Sequence, residues 1–163
     1  MAKQALEQSS DTESKLRNGS MLMALVGVGF IGYAIIYFIH NFTDAFLEFG
    51  LTKAQVDVGK SEIIAFSPSL FNYISHLHVA ISGFIAATGL AVVGLSLYGV
   101  RKGQMWAWVF AVASLILGLV IAIPLHYVYG IATVTHLGLT SLATLIFIVG
   151  ALISLNGLLA QKK

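Results

Sequence analysis

The sequence predicts an all-α membrane protein: four transmembrane helices in an up-down-up-down bundle, with a longer outer loop between helices one and two. Three observations carry this. The 163-residue chain is 58% apolar and only 10% charged, against roughly 25% charged residues in an ordinary soluble domain. Its mean hydropathy is +0.89. Its charges leave long gaps, with no Asp, Glu, Lys or Arg between Asn18 and Thr43, Ile63 and Val100, or Gly103 and Gln161. About 20 apolar residues cross a hydrocarbon layer roughly 30 Å thick, so gaps of this length hold membrane spans.

Residues 1–20 mix Lys3, Lys15 and Arg17 with Glu7, Asp11 and Glu13. This is unlike the basic head of a cleaved signal peptide, and it reads as a mobile or partly helical cytoplasmic arm. Residues 21–163 then form a single four-helix transmembrane domain. The first helix is expected from Met21 to Phe42, with a continuation to Phe49 and Gly50 as a C-terminal stop. Phe42, Phe46 and Phe49 sit at helical spacing and suit such an interfacial extension. The outer loop covers about 43–66, and in it Thr52 with Gln55 resembles a capping box that starts a short helix. Ser67-Pro68 opens the second helix, with Ser as N-cap and Pro in the first turn, and that helix ends near Tyr98-Gly99. The third is expected from Met105 to Tyr129, stopped by Gly130, and the fourth from Thr133 to Leu159. Trp106, Trp108, Tyr98, Tyr127 and Tyr129 read as an aromatic belt.

Orientation follows from the basic residues, which gather on the cytoplasmic side of membrane proteins. Lys3, Lys15 and Arg17 lie before helix one, Arg101 and Lys102 between helices two and three, and Lys162 and Lys163 at the end. Lys53 and Lys60 in the other loop are diluted by Asp44, Glu48, Asp57 and Glu62. A multi-pass protein of the cell membrane with both termini cytoplasmic is the expectation, with lipid and other membrane subunits as partners.

All five histidines fall at the outer helix ends. Helical rise places His40 about 28 Å from the inner end of its helix, and His76, His126 and His136 about 31–35 Å from theirs. Helix faces sharpen the pattern. His76 continues as Ala80, Gly83, Ala87, Ala91 and Gly94, and His126 follows Ala107, Ala111, Ser114, Gly118 and Ala122. Small residues at such spacing let membrane helices approach, so these faces are expected to point inward. His136 stacks over Thr140, Ala143, Phe147, Gly150 and Ser154, while Tyr33, Tyr37, His40, Asp44 and Glu48 share a face of helix one. His78 lies about 200° around the helix from His76, and His76 is preferred for its small-residue face.

Imidazoles converging from separate helices are a usual way for a bundle to hold a metal or a haem iron. The candidate ligands are therefore His40, His76, His126 and His136, with Tyr33, Tyr37, Asp44 and His78 behind them and copper or haem as the cofactor. Glu48 reads as a supporting partner of histidine or as a solvated helix end. The competing account is that these rings sit at the interface and bond to loop carbonyls. Pro124 frees the carbonyl of Val120 beside His126, a place for a kink.

Two functions stand side by side. One is a small subunit of a redox membrane complex of the oxidase or oxygenase type, with its own metal or haem site. The other is a non-catalytic accessory subunit that scaffolds a larger complex. Several classes are excluded or disfavoured. The absence of cysteine rules out disulfides, thiolate metal sites and covalent haem attachment. A net charge of +2 without a basic, aromatic-laced stripe gives no footprint for nucleic acid. No charged residue lies mid-membrane, where ion and proton paths generally place them. Whether the chain catalyses a reaction stays open.

Overall fold

The computed structural model describes residues 2–43 and 47–161. In chain order the elements are α1 (Ala2–Phe42), the short α2 (Lys53–Val56) and α3 (Lys60–Phe66), α4 (Pro68–Gly94), α5 (Met105–Val128) and α6 (Val134–Ala160). A π-helical turn at Leu95–Gly99 and a 3-10 turn at Val100–Lys102 carry the chain from α4 to α5. No strand occurs among the described residues, and four helices are long and apolar enough to cross a membrane. This is the architecture of a multi-pass membrane protein, with exposed apolar surface left to face lipid.

Local chemistry sets most boundaries. The Ser67 hydroxyl accepts from the Leu70 amide at 3.2 Å and Pro68 occupies the first turn of α4. Thr52 and Gln55 form the expected capping box, with the Thr52 amide donating to Gln55 Oε1 at 2.9 Å. After α5 the chain reverses at Gly130, whose φ of +70° suits glycine. Two expectations for the first helix are corrected. The arm is helical and continuous with the first span, since α1 runs unbroken for 41 residues. The helix also stops at Phe42: Leu47–Gly50 is non-helical, so Phe49 does not continue the stripe from Phe42. Phe46 lies outside the described residues.

The centre of the structure is α1, which packs along both α4 and α6, whereas α5 touches the others mainly near its start. Met23 and Val26 of α1, Val92 of α4, Ala107, Ala111 and Leu115 of α5, and Phe147 and Ala151 of α6 share one apolar cluster. Trp108 reaches across this end, its Nε1 donating to the Ala151 carbonyl at 2.9 Å, and so ties α5 to α6.

Close approach of helices rests on glycine, though on α4 not on the glycine expected. A Cβ on Gly27 would stand 2.7 Å from the Gly89 carbonyl oxygen, and one on Gly89 2.6 Å from that of Gly27. On the other side of α1, a Cβ on Gly150 would stand 2.9 Å from the Gly19 carbonyl oxygen. By contrast, Gly83 and Gly118 have open space where a Cβ would be, and Ala87 and Ala122 are exposed. The small-residue faces assigned to α4 and to the outer half of α5 therefore point outward. Buried Ser82, Gly89, Val92 and Ser96 mark the packed side of α4 instead. The face assigned to α6 does pack: His136, Phe147, Gly150 and Ser154 are buried.

In the loop, Glu62 pairs with Lys53 and accepts from the Gly59 amide at 3.1 Å. The Lys53 ammonium is the main reason that its carboxyl is lowered from 4.5 to about 2.

Two predictions follow from these contacts. Leu at Gly27, Gly89 or Gly150 should destabilise the fold by about 1–3 kcal/mol or more through overpacking, while Leu at Gly83 or Gly118 should leave it unchanged. Thermal unfolding in detergent reads both sets, and equal losses in the two would refute the packing. A carboxyl lowered by folding contributes only above its unfolded value, and loses that contribution as pH falls through the folded one. The Lys53–Glu62 pair should thus persist at pH 5 and weaken between about 4.5 and 2. In Lys53→Ala the Glu62 resonance should titrate closer to 4.5, as followed by carboxyl NMR.

Candidate metal centre

At the end of the bundle away from the termini, four pieces of chain meet. They are the last turns of α1 and α5, the first turn of α6, and the strap Leu47–Gly50. Thr133 caps α6, its hydroxyl accepting from the His136 amide at 3.2 Å, and this places His136 in the first turn. The strap lies against that turn. Gly50, at φ +83°, sits so close that any side chain would run into the Thr135 carbonyl, and Thr135 Oγ1 donates to the Gly50 carbonyl at 3.2 Å.

His136 is the buried member, with its side chain only 2% exposed. Its Nδ1 lies 2.8 Å from the Phe49 carbonyl oxygen. A carbonyl can only accept, so Nδ1 carries the proton and a neutral ring presents a bare lone pair at Nε2. That Nε2 lies 3.3 Å from Glu48 Oε2, yet it has no hydrogen-bond partner. The distance is that of an ion pair. A cation would satisfy both groups, either a proton between them or a metal ion held by both.

His126 repeats the arrangement. Its Nδ1 lies 2.8 Å from the Ala122 carbonyl oxygen one turn back, which again leaves Nε2 to act as a ligand. The rings of His126 and His136 are 5.0 Å apart between centroids and tilted by 31°. One ligand atom from each of Glu48, His126 and His136 falls within 4.8 Å of the others. Ligands around a tetrahedral zinc-like ion at about 2.0 Å stand roughly 3.3 Å apart, so a small closure of side chains would bring this set onto an ion. Both histidines already have the outer hydrogen bond that fixes tautomer and ring orientation in metal-ligating histidines. On its far side the Glu48 carboxylate receives Tyr37, whose hydroxyl lies 3.5 Å from Oε1. Tyr37 is buried between Tyr33, stacked at 6.1 Å, and His78, at 4.9 Å.

Of the four histidines singled out by sequence, the structure brings together His126 and His136. His40 lies nearby, lining a shallow groove with Leu47, Glu48, Phe49 and Thr135, but outside the group of three. His76 is exposed on α4 and apart from it, while His78 is the half-buried one. Tyr37 lies behind the Glu48 carboxylate with Tyr33 stacked on it; Asp44 lies outside the described residues. Glu48, expected in a supporting or solvated place, is the residue in direct reach of His136. No family model, curated protein or solved structure matches this chain, so function rests on this geometry.

Proposed function

We propose that this protein holds one transition-metal ion through Glu48, His126 and His136, and that it serves as a subunit of a larger redox membrane complex of the oxidase or oxygenase kind. The observation that carries the metal reading is the bare Nε2 of buried His136 facing the Glu48 carboxylate, with His126 alongside. Two imidazoles and a carboxylate suit zinc, copper or iron, and copper(II) stands highest in the affinity order for such a donor set. Three protein ligands leave a coordination position open, as catalytic metal centres do and structural zinc sites do not. Haem fits less well, because two imidazole centroids 5.0 Å apart leave no gap for a macrocycle between them. A bundle this short has little room for a complete substrate pathway, which is why partners belong to the reading. A scaffold without its own cofactor is the alternative, and it predicts no metal at all.

The basic residues orient the molecule in the cell membrane with both termini cytoplasmic and the metal centre toward the outside.

Protein purified without chelators or a histidine tag should bind about one equivalent of Cu2+, read by titration and elemental analysis. Glu48→Gln, His126→Ala and His136→Ala should each weaken binding by about 100-fold or more, the upper range for loss of a metal-site group. His76→Ala should bind as wild type, with circular dichroism confirming that every variant is folded. A folded wild type without metal, or a loss caused equally by His76→Ala, would sink the proposal. For orientation, an impermeant amine reagent should label Lys53 and Lys60 in intact cells and spare Lys102; the reverse pattern would invert the topology.

A further inference from the structure

The strap that carries Glu48 is held on both sides, on each side by a histidine, with Thr135 adding a bond to the Gly50 carbonyl. On one side His40 Nδ1 lies 3.3 Å from the Leu47 carbonyl oxygen. On the other, His136 Nδ1 lies 2.8 Å from the Phe49 carbonyl oxygen. Each nitrogen faces a carbonyl, so each is the donor. The bonds hold the peptide just before Glu48 and the peptide just after Phe49, one to α1 and the other to α6. Glu48 is thereby left with little more than its side-chain torsions free. Its position is itself anchored, because His40 sits in the last turn of α1, and its carbonyl accepts from the Thr43 amide at 3.3 Å and the Thr43 hydroxyl at 3.2 Å.

We infer that His40 is a positioning residue of the metal centre: its Nδ1 fixes the Leu47 carbonyl so that the Glu48 carboxylate is presented to the ion already in place. The inference rests on the metal reading above and assigns His40 a part that ligation does not. Without His40 the strap would be held only on its Phe49–Gly50 side, by His136 and Thr135, leaving the Leu47 peptide free to move. The ordering of its backbone would then be charged against metal affinity, as ordering costs are in any binding event. Outer groups that orient metal ligands typically affect affinity 10–100-fold.

Substitution at His40 separates positioning from ligation, because asparagine and glutamine each reproduce one ring nitrogen. The amide nitrogen of His40→Asn stands near where Nδ1 stands, and that of His40→Gln stands near where Nε2 stands. The expected result is that His40→Ala weakens Cu2+ binding by about tenfold, at the low end of that range. His40→Asn restores most of the loss, and the electron paramagnetic resonance spectrum of bound Cu2+ is the same in all variants. Amide exchange across Leu47–Gly50 in metal-free protein reads the pin directly and should rise in His40→Ala but not in His40→Asn. Wild-type affinity or unchanged exchange in folded His40→Ala overturns the inference. So does an altered Cu2+ spectrum that glutamine corrects and asparagine does not, which would make His40 a ligand. A wild type that binds no Cu2+ has a different signature, since it removes the metal reading and this inference with it even if exchange rises in His40→Ala.

Discussion

Helices inside a bilayer gain nothing by turning apolar faces to one another, because lipid tails are as apolar as leucine. What holds this protein together is close backbone approach on two sides of one helix. At Gly27 and Gly89 each backbone occupies the space that the other's Cβ would need, and Gly19 with Gly150 does the same across α1 and α6. The buried positions of α1 include Ser20, Gly27, Ala34 and Asn41, one every seven residues. The packed side of α4 and of the π-helical turn after it repeats the interval with Ser75, Ser82, Gly89 and Ser96. A seven-residue repeat is the period of a left-handed helix pair, so α1 and α4 share one seam along their length. The candidate metal centre depends on this arrangement. With α1 held between α4 and α6, the chain leaving α1 at Phe42 can cross to the first turn of α6 and set Glu48 beside His136.

Toward the histidine end the seam changes from packing to hydrogen bonding. Asn41, 1% exposed, donates to Ser75 Oγ at 2.8 Å, and Tyr37 lies against His78. Buried polar groups are costly unless satisfied; the Asn41 amide nitrogen finds its partner on the facing helix, while its Oδ1 has none. The same region supplies Tyr37 to the Glu48 carboxylate, so the groups joining α1 to α4 also support the carboxylate of the site. Away from this seam, the outer half of α5 has few neighbours, and Leu117, Val120 and Ile121 are left exposed.

The helices were legible because their limits are written locally: charge-free runs, Ser67-Pro68, Thr52 with Gln55, and Gly130. Helix rotation was not, in a chain with 16 glycines and many alanines. Small residues line more than one face of α4, and the series Ala80, Gly83, Ala87 competed with Ser75, Ser82, Gly89. The strict seven-residue interval, and the serines at three of its four positions, were the signal that separates them. Two of the three members of the candidate site were legible as well, since His126 and His136 flank a short turn. Glu48 was read as part of a helix face running on from Tyr37 and His40. It reaches the site because the helix ends at Phe42 and the strap folds back, a contact made 88 residues along the chain with His136, which no local pattern encodes.

One feature of α1 reaches beyond the site. Its 41 residues measure about 60 Å at the helical rise, twice the roughly 30 Å of hydrocarbon it crosses. The described helix contains no proline and no irregular turn from Ala2 to Phe42. It is therefore one stiff beam that begins in the arm, bears on α4 and α6 at its glycine contacts, and finishes at Tyr37 and His40. A single length of backbone thus joins the arm at one end of the bundle to the residues that frame the Glu48 carboxylate at the other.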